Sequence, residues 1–297
     1  EIMPSLVGSE MCIRDSMKTK RRAVRRRQIG FLSWLLIILL LTLYIFPLFY
    51  MVSTSLKTMY EVNLSPPRLF PEHPQWQNFA DAWNKMNFVH YLKNSIVVSA
   101  LTIVGQMLVC IPCAYAFAKK QFRGKAFLNG LVLFDLIVPA QIIFLSIYLI
   151  ESRLGWIDTY QGLVVPFIYS AFSIFFLMQT FKTLPDEIID AARLDKCSEI
   201  QIMSRIVVPM AKPTVITTVL FTFVYKWNDY FWTSILTTND TVRTLPLAIQ
   251  NLMPVGNAAN EWHTIMAGNL MLFLPMFILY ILANKNIKQM FCYGGIK

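Results

Sequence analysis

Lys226, Trp227, Asn228 and Asp229 interrupt a long apolar run and set a cation, an indole, an amide and a carboxylate at four consecutive positions. Lys226 and Asp229 stand three residues apart, a spacing at which two side chains meet on one helix face. An unpaired charge at the centre of a bilayer costs about 2.5 to 3.5 kcal/mol, so both are expected to face the interior of a helix bundle. There they would either line a polar path or form a hydrogen-bonding patch between helices. Little else in the chain is equipped for chemistry. Cys110 and Cys113 make a C-x-x-C, but Pro112 lies between them inside an apolar run, which reads as small buried thiols at a helix contact and not as a redox or zinc site. His73, His90 and His263 form no H-x-x-x-H pair, and the cysteines are too scattered for a disulfide framework or a metal centre. The sequence contains no G-x-x-x-x-G-K-[ST], hence no loop of that kind to cradle ATP phosphates. Serines and threonines in the apolar runs lack a neighbouring histidine, so no set for covalent catalysis is visible and the chain is not expected to be an enzyme.

The elements that must position these groups follow from composition. Of 297 residues, 56% are apolar or aromatic and 15% charged, against about 25% charged in soluble proteins. With a mean hydropathy of +0.49, this excludes a disordered or fibrous chain and points to an all-α polytopic membrane protein. Residues 31–53 carry no charge, and a helix of that length reaches about 34 Å, enough to cross a hydrocarbon core of about 30 Å. Comparable runs at 95–118, 126–150, 162–181, 214–237 and 264–283 predict six transmembrane helices in all. The net charge of +10 raises the possibility of nucleic acid, but the basic residues crowd just outside the apolar runs, as at a membrane surface. With the N-terminus placed in the cytoplasm, inside segments hold 19 Lys and Arg and outside segments six, a positive-inside pattern that assigns both termini to the cytoplasm.

Residues 1–16 precede Met17, resemble translated adaptor read-through and read as a non-native leader. Residues 17–30 form a basic cytoplasmic arm, 31–94 the first span with an external loop, 95–284 the membrane core, and 285–297 a cytoplasmic tail. The prolines of SPPRLFPEHP favour an extended external loop over 54–90, and residues 238–262 form a second external loop. The cytoplasmic loop 182–212 is longer than a plain connection needs. Pro185 marks a helix start, Asp186 and Glu187 suit its positive end, and Ile188, Ile189, Ala192 and Leu194 give it an apolar stripe. Ser198 and Gln201 have the spacing of a capping box, opening a second helix through Ile200, Met203 and Ile206 that Pro209 should break. The result is a helix-turn-helix at the membrane face, with Ala191 and Ala192 small enough for another protein to approach closely.

The order Asp190-Ala191-Ala192, three residues, Lys196, nine residues, Ile206, one residue, Val208-Pro209 resembles the E-A-A loop of ABC importer membrane subunits, usually E-A-A-x3-G-x9-I-x-L-P. Asp190 stands for the usual Glu, Val208 for Leu and Lys196 for Gly. Gly at that place relieves a tight turn that needs positive φ. The first external loop, WNDYFW at 227–232, RTLPLAIQ at 243–250 and the ending MFCYGGIK are also similar to carbohydrate-type permeases, specifically the second membrane subunit of maltose-type importers.

The resemblance implies a permease subunit of a binding-protein-dependent ABC importer, forming half of the pathway for a sugar or oligosaccharide. Implied partners are a second permease subunit, a cytoplasmic ATPase dimer that binds ATP and Mg, and an extracellular or periplasmic solute-binding protein, in a bacterial or archaeal cell membrane. Glu187, Asp190, Ala191, Ala192, Lys196, Ile206 and Pro209 would then belong to the ATPase-coupling loop, and Lys226, Trp227, Asn228 and Asp229 would meet sugar hydroxyls or stack on a sugar face. The alternative from another class is an ion-coupled secondary carrier, with Asp135 and Asp229 as its membrane carboxylates.

Overall fold

The computed structural model describes residues 31–139, 141–250, 252–253 and 261–293, with side chains described from residue 33 to 284 within those limits. The leader and basic arm predicted for 1–30 lie outside the described residues, as does the end of the tail. Among the described residues the chain is helical, with no strand. In order, the helices are α1 (Phe31–Ser55), α2 (Met59–Val62), α3 (Gln77–Lys85), α4 (Phe88–Lys119), α5 (Lys125–Asp135), α6 (Phe144–Leu154), α7 (Tyr160–Val164), α8 (Ala171–Thr183) and α9 (Asp186–Leu194). There follow α10 (Glu199–Met210), α11 (Lys212–Trp227), α12 (Phe231–Leu236), α13 (Leu245–Gln250) and α14 (Trp262–Tyr293).

Three helical stretches are long and apolar enough to cross a membrane: Ser33–Ser55, Phe88–Lys119 and Trp262–Asn284. Two bent pairs, Tyr160–Phe167 with Ala171–Thr183 at 40° and Glu199–Met210 with Lys212–Trp227 at 86°, raise the number to five. Several predicted boundaries therefore change. The 126–150 run is two helices, because Pro139 cannot continue α5 and restricts the residue before it. The 162–181 run bends where Ser170 leaves helical geometry and its side chain caps α8 by accepting from the Ser173 amide. The 214–237 run ends at Trp227, because Asn228 donates back to the Val224 carbonyl and Asp229 accepts from the Trp232 amide, which closes one helix and opens the next. The external loop expected to be extended contains α3, and α4 starts at Phe88, ahead of position 95.

The bundle is organised around α4, which packs against α8 and α11, while α11 also packs against α14. Three buried clusters fill it. One joins Cys110, Ala114, Tyr115 and Phe117 of α4 to Leu177 and Phe181 of α8 and to Ile189, Ala192 and Ile202. A second holds Phe88, Tyr91, Trp227 and Ile265, and a third holds Val98, Leu163, Phe167 and Trp232. Gly105 is needed where α4 meets the bend before α8, since a Cβ there would lie 2.5 Å from Ile168. By contrast α1 packs on α14 and leaves most of its apolar side chains exposed.

Candidate functional site

The α9–α10 segment is built as its residues dictate. Pro185 precedes α9, Asp186 and Glu187 occupy the first turn, and Ser198 forms a capping box with Gln201 at the start of α10. The predicted apolar stripe divides in two. Ile189 and Ala192 are buried in the core, whereas Ile188, Leu194 and Ile200 are exposed, Leu194 by 84%. This corrects the expectation that both alanines offer a low surface to a partner: Ala191 does, but Ala192 is covered by this chain's own core. Glu187 and Asp190 are exposed, and Asp190 pairs with Arg193 at 2.8 Å.

Between the two helices Lys196 is exposed and has φ 57°, the left-handed conformation for which glycine is the usual residue. The chain makes the tight turn with a lysine. The amides of Asp195 and Cys197 reach back to the carbonyls of Ala191 and Ala192, both at 3.0 Å, which satisfies the end of α9. Pro209 does not break α10 as predicted. A π turn over Met203–Val207 bonds the Val208 amide to the Met203 carbonyl, helical geometry passes through Pro209, and the break comes at Ala211. Ile206 is half-buried beside the core, and Pro209 is exposed.

The segment is fastened to the end of α4. Glu199 accepts a hydrogen bond from the hydroxyl of Tyr115, 2.6 Å, pairs with Lys120, and is approached by Arg193 Nε at 3.3 Å. Lys119 Nζ donates to Asp186 at 2.7 Å and to the Leu184 carbonyl at 2.6 Å. The hydrogen bonds from Lys120 and then Tyr115 hold the Glu199 carboxyl down at about 2. One α10 carboxylate thus clasps α4 and α9 together.

The second candidate group lies at the other end of α11, about 21 Å along the helix from Lys212. Lys226 is 2% exposed, donates to Asp229 at 2.8 Å and places Nζ 3.3 Å from the centre of the Phe167 ring. Trp227 is 1% exposed and its indole N–H donates to the Leu272 carbonyl at 3.0 Å, joining α11 to α14. Asp229 is buried, and Asn228 is the exposed member of the four. The two predicted groups are separate sites on one helix.

Residues that sequence reasoning passed over join the broken spans. Gln106 donates to the Phe167 carbonyl and accepts from Ser173 and Thr222, linking α4 to the bend, α8 and α11. Asn94 donates to the Thr241 and Arg243 carbonyls and accepts from the Tyr160 hydroxyl. Glu151 is 2% exposed, and neither of its carboxylate oxygens has a hydrogen-bond partner among the described residues. For Gln106 an amide inside an apolar run was the available signal, whereas Asn94 and Glu151 stand at the edges of the predicted 95–118 and 126–150 runs, where a polar residue is ordinary. Among the described residues no group of histidine, cysteine and carboxylate side chains is arranged to hold a metal ion, and Cys110 and Cys113 are free thiols, Cys110 being buried.

Residues 87–290 match the family described as the binding-protein-dependent transport system inner membrane component. The chain is 32% identical over 285 residues to the inner membrane ABC transporter permease protein YcjP of Escherichia coli, covering 95% of this chain and all of that protein. It is 28% identical to the sn-glycerol-3-phosphate transport system permease protein UgpE of Pectobacterium atrosepticum, covering 88% of this chain and 95% of the relative. A chain of the crystal structure of a bacterial ABC transporter involved in import of the acidic polysaccharide alginate superposes with a TM-score of 0.79 at 22% identity, over 88% of this chain and 97% of that one. That likeness gives the fold.

Proposed function

The chain belongs to the family of binding-protein-dependent transport system inner membrane components, and from that premise we propose that it forms half of the translocation pathway for a sugar, an oligosaccharide or a related polyol. The family match across the whole α4–α14 core carries the reading. It also decides against the ion-coupled carrier. ATP hydrolysis belongs to separate subunits, and ATP and Mg would be bound there.

On this reading the bundle crosses an inner membrane six times, through α1, α4, the α5–α6 pair, the α7–α8 pair, the α11–α12 pair and α14. Both termini and the α9–α10 segment lie in the cytoplasm, in keeping with the positive-inside pattern. The α9–α10 helix-turn-helix is the coupling element. Its exposed Ile188, Ala191, Leu194 and Ile200 offer an apolar face to an ATPase groove, with Glu187 and Asp190 at its rim. Opposite it, α3 and residues 238–250 face a solute-binding protein. Asn228 is the member of the 226–229 group that reaches the pathway, held there by buried Lys226, Trp227 and Asp229. A second permease subunit supplies the other half.

Reconstitution tests this. Proteoliposomes containing the chain alone, energised by a proton or sodium gradient, should take up none of a panel of labelled oligosaccharides and sn-glycerol 3-phosphate. The four-component complex should take up at least one of them with ATP. Gradient-driven uptake by the chain alone would refute the importer reading.

A further inference from the structure

The ends of α4 and α8 and the start of α5 enclose a cavity of about 460 Å³ that neither the coupling element nor the proposed pathway uses. Its floor is apolar. Phe117 and Met178 are buried there, and the Phe122 ring stands at the rim with its centre 6.0 Å from that of Phe117. Its charge is of one sign, because Lys125 and Lys182 line it and no carboxylate does. The turn before α5 reads KKQFRGK over residues 119–125. Lys119 and Lys120 are taken by Asp186 and Glu199, whereas among the described residues no carboxylate pairs with Arg123, Lys125 or Lys182. Lys125 Nζ donates to the Lys120 carbonyl at 2.7 Å, which holds it over the turn and leaves its other donors free.

Two further features suit an anionic group that also carries hydroxyls. Gly124, at φ 83°, opens α5 without a side chain to cap its amides, so the positive end of that helix lies open beside Lys125. Asn129 lines the same cavity, and its Oδ1 is shielded from solvent with no partner among the described residues, an acceptor in need of a donor. The surroundings decide the source of the anion. Leu133, one turn beyond Asn129, is exposed, and Phe127 and Phe134 on the same helix are exposed by 69% and 64%. A soluble phosphate would gain nothing from that apolar surface, whereas acyl chains would cover it. Basic pockets between spans on the cytoplasmic side are a recurrent seat for acidic lipid headgroups. We propose that the cavity binds the headgroup of an anionic phospholipid of the cytoplasmic leaflet. Its phosphodiester meets Lys125, Lys182 and the start of α5, and a headgroup hydroxyl, such as phosphatidylglycerol carries, donates to Asn129. Placing the cavity at the cytoplasmic leaflet rests on the importer reading above.

The test uses the assembled complex with its second permease, ATPase and solute-binding protein, and measures by native mass spectrometry the apparent Kd for added phosphatidylglycerol and phosphatidylcholine. Phosphatidylglycerol should bind more tightly. The Lys125→Gln, Lys182→Gln double variant should weaken its binding by about 30-fold and leave that of phosphatidylcholine unchanged. Ala126→Trp fills the cavity without altering charge, should weaken binding as well, and keeps the test decisive if the double variant fails to assemble. Arg205→Gln with Lys212→Gln removes exposed cations of the α10–α11 region, outside the cavity, and should bind as wild type does. Undiminished binding in Ala126→Trp, an equal loss in that control, or no preference in wild type overturns the site. So does displacement of the lipid by inorganic phosphate at equal concentration, which would assign the cavity to a soluble anion. Lipid binding is read without transport, so a wild-type complex that binds lipid but takes up no substrate with ATP overturns the importer reading and not the site.

Discussion

Replacing Glu199 by Gln should loosen the α9–α10 segment from α4 while leaving the bundle intact. The Tyr115 hydroxyl is the deeply placed partner, on a side chain 5% exposed, and its bond to a carboxylate belongs to the class worth about 1.5 to 3 kcal/mol, which falls to about 0.5 to 1.5 for a neutral acceptor. Lys120 and Arg193 are about one-third exposed, so their pairs contribute at most about 1 kcal/mol each. The loss is then about 2 kcal/mol, or about 30-fold in the opening equilibrium. Amide hydrogen exchange over residues 186–202 reads this directly, as faster exchange there and unchanged exchange in α8 and α11. The charge also sets a pH dependence. Because the folded carboxyl is held at about 2, against an ordinary 4.5, its contribution is complete above pH 4.5 and is lost as pH falls from there toward 2. Wild type should loosen in that window, and Glu199→Gln should not. Equal protection of residues 186–202 in both proteins at pH 7 would refute the clasp.

Ala192→Trp should destabilise the chain itself by about 1 to 3 kcal/mol through overpacking, seen as a lower melting temperature in detergent. Ala191→Trp should leave melting unchanged and reduce ATPase co-purification. Lys196→Gly should stabilise the α9–α10 turn by about 0.5 kcal/mol, since relief of the left-handed strain outweighs the freedom glycine adds to the unfolded chain, and local exchange should slow accordingly. Lys226→Met leaves Asp229 buried without its ion-pair partner and should cost about 3 to 5 kcal/mol in thermal unfolding, more than the Lys226→Leu, Asp229→Leu double replacement.

The helical membrane class, the helix starts at Pro185 and Ser198, and the buried Lys226–Asp229 pair are all legible in the amino-acid sequence. Each depends on local pattern or on the high cost of charge in lipid. The breaks are less legible, because an apolar run reads as continuous whether or not a single Pro139, Ser170 or Asn228 interrupts it. The burial of Ala192 and the exposure of Leu194 are hidden for a different reason. Both are apolar residues on one short helix, and which of them meets the core depends on where α4 and α8 pass. The Glu199 clasp joins positions 84 residues apart at Tyr115, and no periodicity reports that distance.

The π turn carries a consequence for rotational phase. Ile202 and Val207 are both fully buried although five residues separate them, a spacing that an ordinary α-helix would set about 140° apart. The wider turn brings them to one side and lets the capped start of α10 and the residues leading into α11 face the same core. Deleting one residue within 203–207 would restore regular winding with Ile202 and Val207 four positions apart, about 40° of rotation, so both would still face the core. The wide turn thus lets this stretch hold one residue more than a regular helix would while keeping the exposed face of α9–α10 in phase with the spans that follow.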